Sequence, residues 1–218
     1  MQCTLFGSGA PGFDPGLLDP EQLHPGQLHP GQRSIERRAL SAGAWVEHHA
    51  GWLDGHASVF EQLRLQAEWQ SHRRQMYERE VAVPRLVARA PREGPIAELL
   101  SRLSAALTQR YRHSLHGLAL DNVSLAYYRD GNDSVAFHGD KVGRLANDTI
   151  VATVSVGAPR RFLLRPNAGG SSLAFNLGWG DLFVMGGSCQ RTWQHAVPKR
   201  AHADPRISIM FRPPVPEG

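Results

Sequence analysis

Apolar residues recur with two different periods along this chain, and the change of period divides it. The run Ala44-Trp45-Val46-Glu47-His48-His49 reads as a first strand. Asp54 has the character of a helix N-cap, and Val59, Phe60, Leu63 and Ala67 follow it at helical spacing, which predicts a first helix. Leu99, Leu100, Leu103 and Leu107 mark the inner face of a second helix, from about 96 to 111. Between the two, residues 69–92 are polar and Arg-rich, and Pro84 and Pro91 prevent a long helix there. After Gly117 the period falls to two. Strands are predicted over 123–128, 150–156, 161–164, 172–176, 181–185 and 206–211, with a turn at 129–132 and Gly or Pro between most of them. Two helices followed by many short strands predict a mainly β fold with flanking helices (α+β), a sandwich or jelly-roll barrel backed by the helices.

Residues 1–40 follow neither period. Residues 22–31 repeat Gln-Leu-His-Pro-Gly in tandem, a composition that buries too little apolar surface to offset chain entropy. They are expected to form a flexible Pro/Gly-rich tail, with His24 and His29 as parts of the repeat rather than metal ligands. One domain, 41–218, is expected to follow, because 218 residues at 41% hydrophobic content suffice for a single buried core. The 22 Gly and 15 Pro agree with a loop-rich β architecture.

No apolar run approaches membrane-spanning length, so no membrane association is expected. Residues 1–11 lack the basic start and apolar centre of a secretory signal. With only Cys3 and Cys189, no disulfide framework is available, and a reducing cytoplasm is the expected compartment. A monomer is expected. The formal net charge is +4, and nearly all 24 cations are Arg, the lysines being Lys141 and Lys199. Arg presents a planar fork suited to phosphate, so the charge mildly favours an acidic partner.

The chemistry concentrates in the last hundred residues. His138-Gly139-Asp140 places an imidazole and a carboxylate two positions apart, hence on one side of a strand end. His195, distant in sequence, lies where a barrel strand brings it opposite. Two His and one carboxylate on one face of an octahedron form the facial triad of non-haem Fe(II) oxygenases. The three positions left open accept a bidentate 2-oxo acid and O₂. On the last strand Arg206, Ser208, Met210 and Arg212 share one face. Two guanidiniums there suit a dicarboxylate such as 2-oxoglutarate. The opposite face, Ile207, Ile209 and Phe211, is expected to pack in the sandwich core.

These features together resemble the catalytic core of the AlkB family of nucleic-acid oxidative dealkylases. The resemblance is carried by Tyr128-Arg-Asp-Gly131, His138-Gly-Asp140, Val154-Ser-Val-Gly157, Gly180-Asp-Leu-Phe-Val-Met-Gly186, His195, and Arg206 with five residues before Arg212. It implies a double-stranded β-helix fold, Fe(II) on His138, Asp140 and His195, and contact of Tyr128, Arg206, Ser208 and Arg212 with the co-substrate 2-oxoglutarate. The activity implied is oxidative demethylation of N-alkylated bases in DNA, with RNA as a further substrate. Residues 69–92 would form a nucleotide-recognition lid, in which Trp69 and Tyr77 stack a base while Arg73, Arg74 and Arg85 follow phosphates. Lys141 and Arg144, beside the metal strand, are further phosphate candidates.

Two positions depart from the family. Ala126 stands where relatives often carry Asn, and Val142 where well-known members carry an acidic residue against the flipped base. Asp133 and Asp148 are near enough in sequence to substitute for that carboxylate. Two other readings of the same residues are a 2-oxoglutarate hydroxylase of protein or small molecules, and a non-catalytic nucleic-acid binding module on the same fold.

Overall fold

The structure, a computed structural model, describes residues 35–76, 79–140, 142 and 148–214, with side chains from residue 37 onward and not for 72–83. Among the described residues, twelve strands form two sheets. In chain order they are β1 (Ile35–Ala39), β2 (Ala44–His49), β3 (Gln70–Met76), β4 (Arg79–Arg89), β5 (Asn122–Tyr128), β6 (Val135–His138), β7 (Val151–Gly157), β8 (Arg160–Pro166), β9 (Leu173–Leu177), β10 (Asp181–Gly187), β11 (Trp193–Val197) and β12 (Arg206–Arg212). The large sheet runs β1-β2-β10-β7-β12-β5-β4-β3 and the small one β6-β11-β8-β9. Every pairing is antiparallel. Two facing sheets with helices behind the larger one make the jelly roll expected from the two-residue period.

The helices are α1 (His56–Gln66), α2 (Pro95–Arg110) and the short α3 (Cys189–Thr192). Asp54 does not cap α1. The N-cap is Gly55, held at φ 67 with no side-chain hydrogen bond, since only a residue free of Cβ strain enters the helix cheaply by that left-handed turn. Pro95 opens α2 at a position where its missing N–H costs nothing. Structure also begins before the expected 41–218 unit. Strand β1 pairs with β2 from Ile35 to Ala39, and Arg37 donates to the buried carboxylate of Glu47 at 2.6 Å.

The apolar residues sort into two layers. Leu63, Leu99, Leu103, Leu107 and their neighbours pack beneath the helices against Val154, Val184, Ile207, Ile209 and Phe211 on the outer face of the large sheet. Ala126, Tyr128, Val151, Phe162, Phe183, Met185 and Trp193 fill the space between the sheets. The apolar face of β12 is therefore in the helix layer and not in the sandwich core as its sequence suggested. Its polar face looks between the sheets, because the apolar surface of α1 and α2 must be covered from outside and the inter-sheet space at this end is an open cleft.

Within residues 69–92, β3 and β4 pair antiparallel and continue the large sheet beyond β5. Their register shifts between Ser71 and Arg73, so that the residues between Ala82 and Leu86 bulge out of the ladder. Pro84, which cannot donate a ladder hydrogen bond, sits in that bulge. The bulge turns Pro84 and Arg85 toward the cleft.

Candidate metal and co-substrate site

The cleft opens between the sheets with a volume of about 1250 Å³. Its lining includes Tyr128, His138, Asp140, His195, Ser208 and Arg212, so side chains from β5, β6, β11 and β12 meet there. His138 and His195 are direct partners across β6 and β11, with ring centroids 4.3 Å apart. Asp140 follows β6 by two residues, and one ligand atom from each of the three lies within 4.8 Å of the others. Four-coordinate structural sites use Cys and His on every corner, whereas two imidazoles and one carboxylate leave open positions on a cation.

The rings are prepared for that role. Nδ1 of His138 faces the Ala136 carbonyl at 2.9 Å. A carbonyl only accepts, so Nδ1 carries the proton and Nε2 keeps a free lone pair. His195 is buried and stacks on Phe162, with centroids 5.4 Å apart and planes at 18°. Burial pulls its pKa down to about 4, with His138, Arg85 and Arg212 adding to the effect against the opposing charge of Asp140. Its imidazole is therefore neutral near pH 7, the form that binds metal.

The polar face of β12 forms the floor. Arg206 pairs with Tyr128 in register, Ser208 with Ala126 and Ser155, Met210 with Ser124 and Thr153, and Arg212 with Asn122. Six residues of strand separate the two arginine backbones by roughly 20 Å. The side chains narrow that gap. Arg206 reaches Oγ of Ser155 at 2.6 Å, opposite Ser208, and Arg212 reaches Oγ of Ser124, opposite Met210. Ser155 and Ser124 lie on β7 and β5, on opposite sides of β12 and about two residues apart along it, so the two hydrogen-bonded ends are roughly 12 Å apart. Arg212 also approaches Oδ1 of Asp140 at 3.4 Å.

Arg206 is fully buried, yet its Nε and Nη1 have no hydrogen-bond partner among the described residues. Burial lowers its pKa to about 10, with the nearby Arg160 charge adding to the effect. Arg206 and Arg160 flank the Tyr128 ring at 5.6 and 5.7 Å, and Arg85 donates to the Tyr128 hydroxyl at 3.1 Å. Buried cations with unsatisfied N–H groups are costly unless an anion completes them. These cations lie against Tyr128, which lines the cleft, so an anion bound beside Tyr128 would complete them.

The other candidates divide. Trp69 does not face the cleft: its ring lies 5.2 Å from Tyr127 and its Nε1 donates to the Arg64 carbonyl at 3.2 Å, which makes it a packing residue of the helix layer. Tyr77, Lys141 and Arg144 lie outside the described residues, and the side chains of Arg73 and Arg74 outside the described side chains. Val142 is buried in the inter-sheet core at 2% exposure and is not part of the cleft wall. Asp133 is bound by Arg129 and Asp148 faces His116, so neither replaces a carboxylate in the cleft. Ser155 and Ser124 were not singled out from the sequence. The signal was present as a hydroxyl at an alternating position in Val154-Ser155-Val156 and Val123-Ser124-Leu125.

The family described as the 2OG-Fe(II) oxygenase superfamily matches residues 29–212. The uncharacterised protein R406 of Acanthamoeba polyphaga mimivirus is 36% identical over 98 residues, 44% of this chain and 51% of that protein. Alpha-ketoglutarate-dependent dioxygenase alkB homolog 3 of Mus musculus is 31% identical over 129 residues, 55% of this chain and 43% of that protein. DNA oxidative demethylase ALKBH2 of Arabidopsis thaliana is 32% identical over 122 residues, 45% of this chain and 39% of that protein. The chain thus spans about half the length, or less, of these relatives. Among solved structures, OsALKBH1 superposes with a TM-score of 0.55 at 14% identity, covering 81% of this chain and 99% of that one. A Trichoplax adhaerens prolyl hydroxylase in complex with a peptide fragment superposes with a TM-score of 0.54 at 12% identity, covering 73% and 77%. At such identity these two show the jelly-roll fold alone. The matched span takes in both sheets and every residue of the cleft described above, and its sequence likeness is to AlkB homologues: the chain belongs to the 2OG-Fe(II) oxygenase superfamily, whose enzymes use Fe(II), 2-oxoglutarate and O₂.

Proposed function

We propose that this protein is a dioxygenase that demethylates N-alkylated bases in DNA, and in RNA as a further substrate. The observation that carries the reading is a two-His, one-carboxylate cluster in the cleft, with a fully buried guanidinium beside the cleft residue Tyr128 whose Nε and Nη1 lack an acceptor among the described residues. His138, Asp140 and His195 hold Fe(II). Arg206 takes the distal carboxylate of 2-oxoglutarate, and Arg212 the end nearer Asp140. Ser208 and Tyr128 line its path. When bound, iron with 2-oxoglutarate and O₂ supplies the oxidising equivalent that hydroxylates an N-alkyl carbon, yielding succinate, CO₂, an aldehyde and the repaired base.

The chain's own part is to bind, orient and keep water out. The cleft is larger than the roughly 300–1,000 Å³ of most small-ligand pockets, which leaves room for a flipped base beside the co-substrate. Hairpin β3–β4 and its bulge wall that space, and residues 69–92 act as the nucleotide lid. The likeness to alkB homolog 3 and to DNA oxidative demethylase ALKBH2 favours nucleic acid over protein as substrate. The reading includes a cytoplasmic monomer, in keeping with a buried free thiol at Cys189. The test is formaldehyde release from a methylated oligonucleotide, with and without Fe(II). Succinate release uncoupled from formaldehyde on every oligonucleotide would instead favour a hydroxylase of another substrate, and neither product would leave a binding module.

A further inference from the structure

Two of the three candidate ligands are fixed by sheet pairing, and the third is not. His138 and His195 lie opposite each other in the β6–β11 ladder. Asp140 lies beyond the end of β6 and has no strand partner of its own. Its main-chain N–H donates instead to the side-chain oxygen of Gln190, at 2.8 Å. Gln190 belongs to α3 and is buried at 7% exposure. A backbone N–H can only donate, so the amide must turn its oxygen toward Asp140. The NH₂ then points at the thioether sulfur of Met185, 3.6 Å away and a weak acceptor. Among the described residues this amide has one strong partner, and it is the backbone of Asp140.

The same short helix presses on the residue between the ligands. A Cβ at position 139 would lie 2.7 Å from the main-chain oxygen of Gln190, so only glycine permits the approach. Among the described residues, the carboxylate has one guanidinium within reach, Arg212, at the long distance of 3.4 Å. Among the described residues, the shortest hydrogen bond made by Asp140 is from its backbone, and it goes to Gln190.

We propose that Gln190 is a positioning residue for Asp140, setting the backbone direction from which the carboxylate meets His138 and His195. The proposal rests on the reading of these three residues as metal ligands. Gln190 touches neither metal nor substrate. Outer partners that orient a ligand are typically worth ~10–100-fold in metal affinity.

The test uses Co(II), titrated into the metal-free full chain and followed by its visible absorption, with melting temperature measured alongside. Gln190→Leu, close in volume but without an acceptor, should weaken Co(II) binding by ~10-fold or more at little cost in melting temperature. Gln190→Glu, which keeps an acceptor oxygen in place, should restore affinity to within a few-fold of wild type. His138→Ala serves as the control that loses a ligand outright. Wild-type affinity in Gln190→Leu would overturn the proposal. So would equal weakening in the Leu and Glu variants with a parallel fall in melting temperature, the mark of a packing role. Absence of Co(II) binding in the wild type would remove the metal-site reading itself, and the proposal with it.

Discussion

His138 and His195 face each other from paired strands, yet their rings are made ready for a cation by different means. His138 is oriented by a carbonyl two residues back on its own strand, and His195 is kept neutral by burial against Phe162. Arg206 shows the complementary situation, a charge buried without its counter-charge. Arg206→Lys should therefore raise the 2-oxoglutarate requirement ~10-fold or more, about 1.4 kcal/mol, because Lys keeps the charge but loses the bidentate fork. Co(II) affinity without co-substrate should be unchanged. Equal loss of both in parallel titrations would assign Arg206 a structural role. Val142 also changes meaning at this scale. From the sequence, Val142→Glu would add a base-recognising carboxylate, but at 2% exposure it would place an unpaired charge between the sheets. The expected result is a loss of about 3 kcal/mol, with a melting temperature lower by roughly 6–12 °C and no gain for cationic lesions. Thermal melts and a 3-methylcytosine assay on the soluble variant would check both halves.

Among the elements, β1, β2 and the end of α2 are tied by one buried carboxylate. Glu47 receives hydrogen bonds from Tyr111, Arg37 and His49 and lies 3.6 Å from Arg110. Burial alone would raise its pKa. The His49 and Tyr111 hydrogen bonds and the charges of Arg37 and Arg110 outweigh burial and hold it down to about 2, from 4.5. A depressed carboxylate stabilises the fold fully above its unfolded pKa and loses that contribution as pH falls through the folded one. Between pH 4.5 and 2 the protein should therefore lose about 3 kcal/mol relative to Glu47→Gln, which has nothing to protonate there. Denaturant melts of both proteins across that window would show it, and parallel pH profiles would contradict it. Hairpin β3–β4 illustrates a different balance. Proline at 84 excludes a helix, while the bulge it occupies lets the ladder continue on either side and aims Arg85 at the Tyr128 hydroxyl.

At the scale of the whole molecule the site bridges the two sheets, with His138 and His195 on the small one and Arg206 and Arg212 on the large one. A ligand set that joins both should stabilise the entire domain and not a single loop. With Co(II) and 2-oxoglutarate at ~100 times their dissociation constants, linkage gives about 2.7 kcal/mol for each independent ligand. That corresponds to a rise of roughly 5–11 °C per ligand for a chain of this size. Chelation should reverse the rise. Calorimetric binding with no change in melting temperature would mean that the ligands are held by a locally unfolding segment.

Several properties were already determined by the sequence. The two-residue period after Gly117 and the helical stripe of leucines dictate strands and helices, because each is a local consequence of backbone geometry. The order His138, Asp140, His195, Arg206, Arg212 suggested a metal and dicarboxylate chemistry through residue type alone. Tertiary structure decided which face of β12 meets the cleft, since alternation says that two faces differ but not which one the helices will cover. It decided that Trp69 and Val142 are packing residues, because an aromatic or aliphatic side chain reads the same in a cleft as in a core. It also decided that Gln190, fifty residues from Asp140, is the group that receives its N–H. A hydrogen bond across that separation exists only once the sheets have paired, and no local pattern in the chain records it.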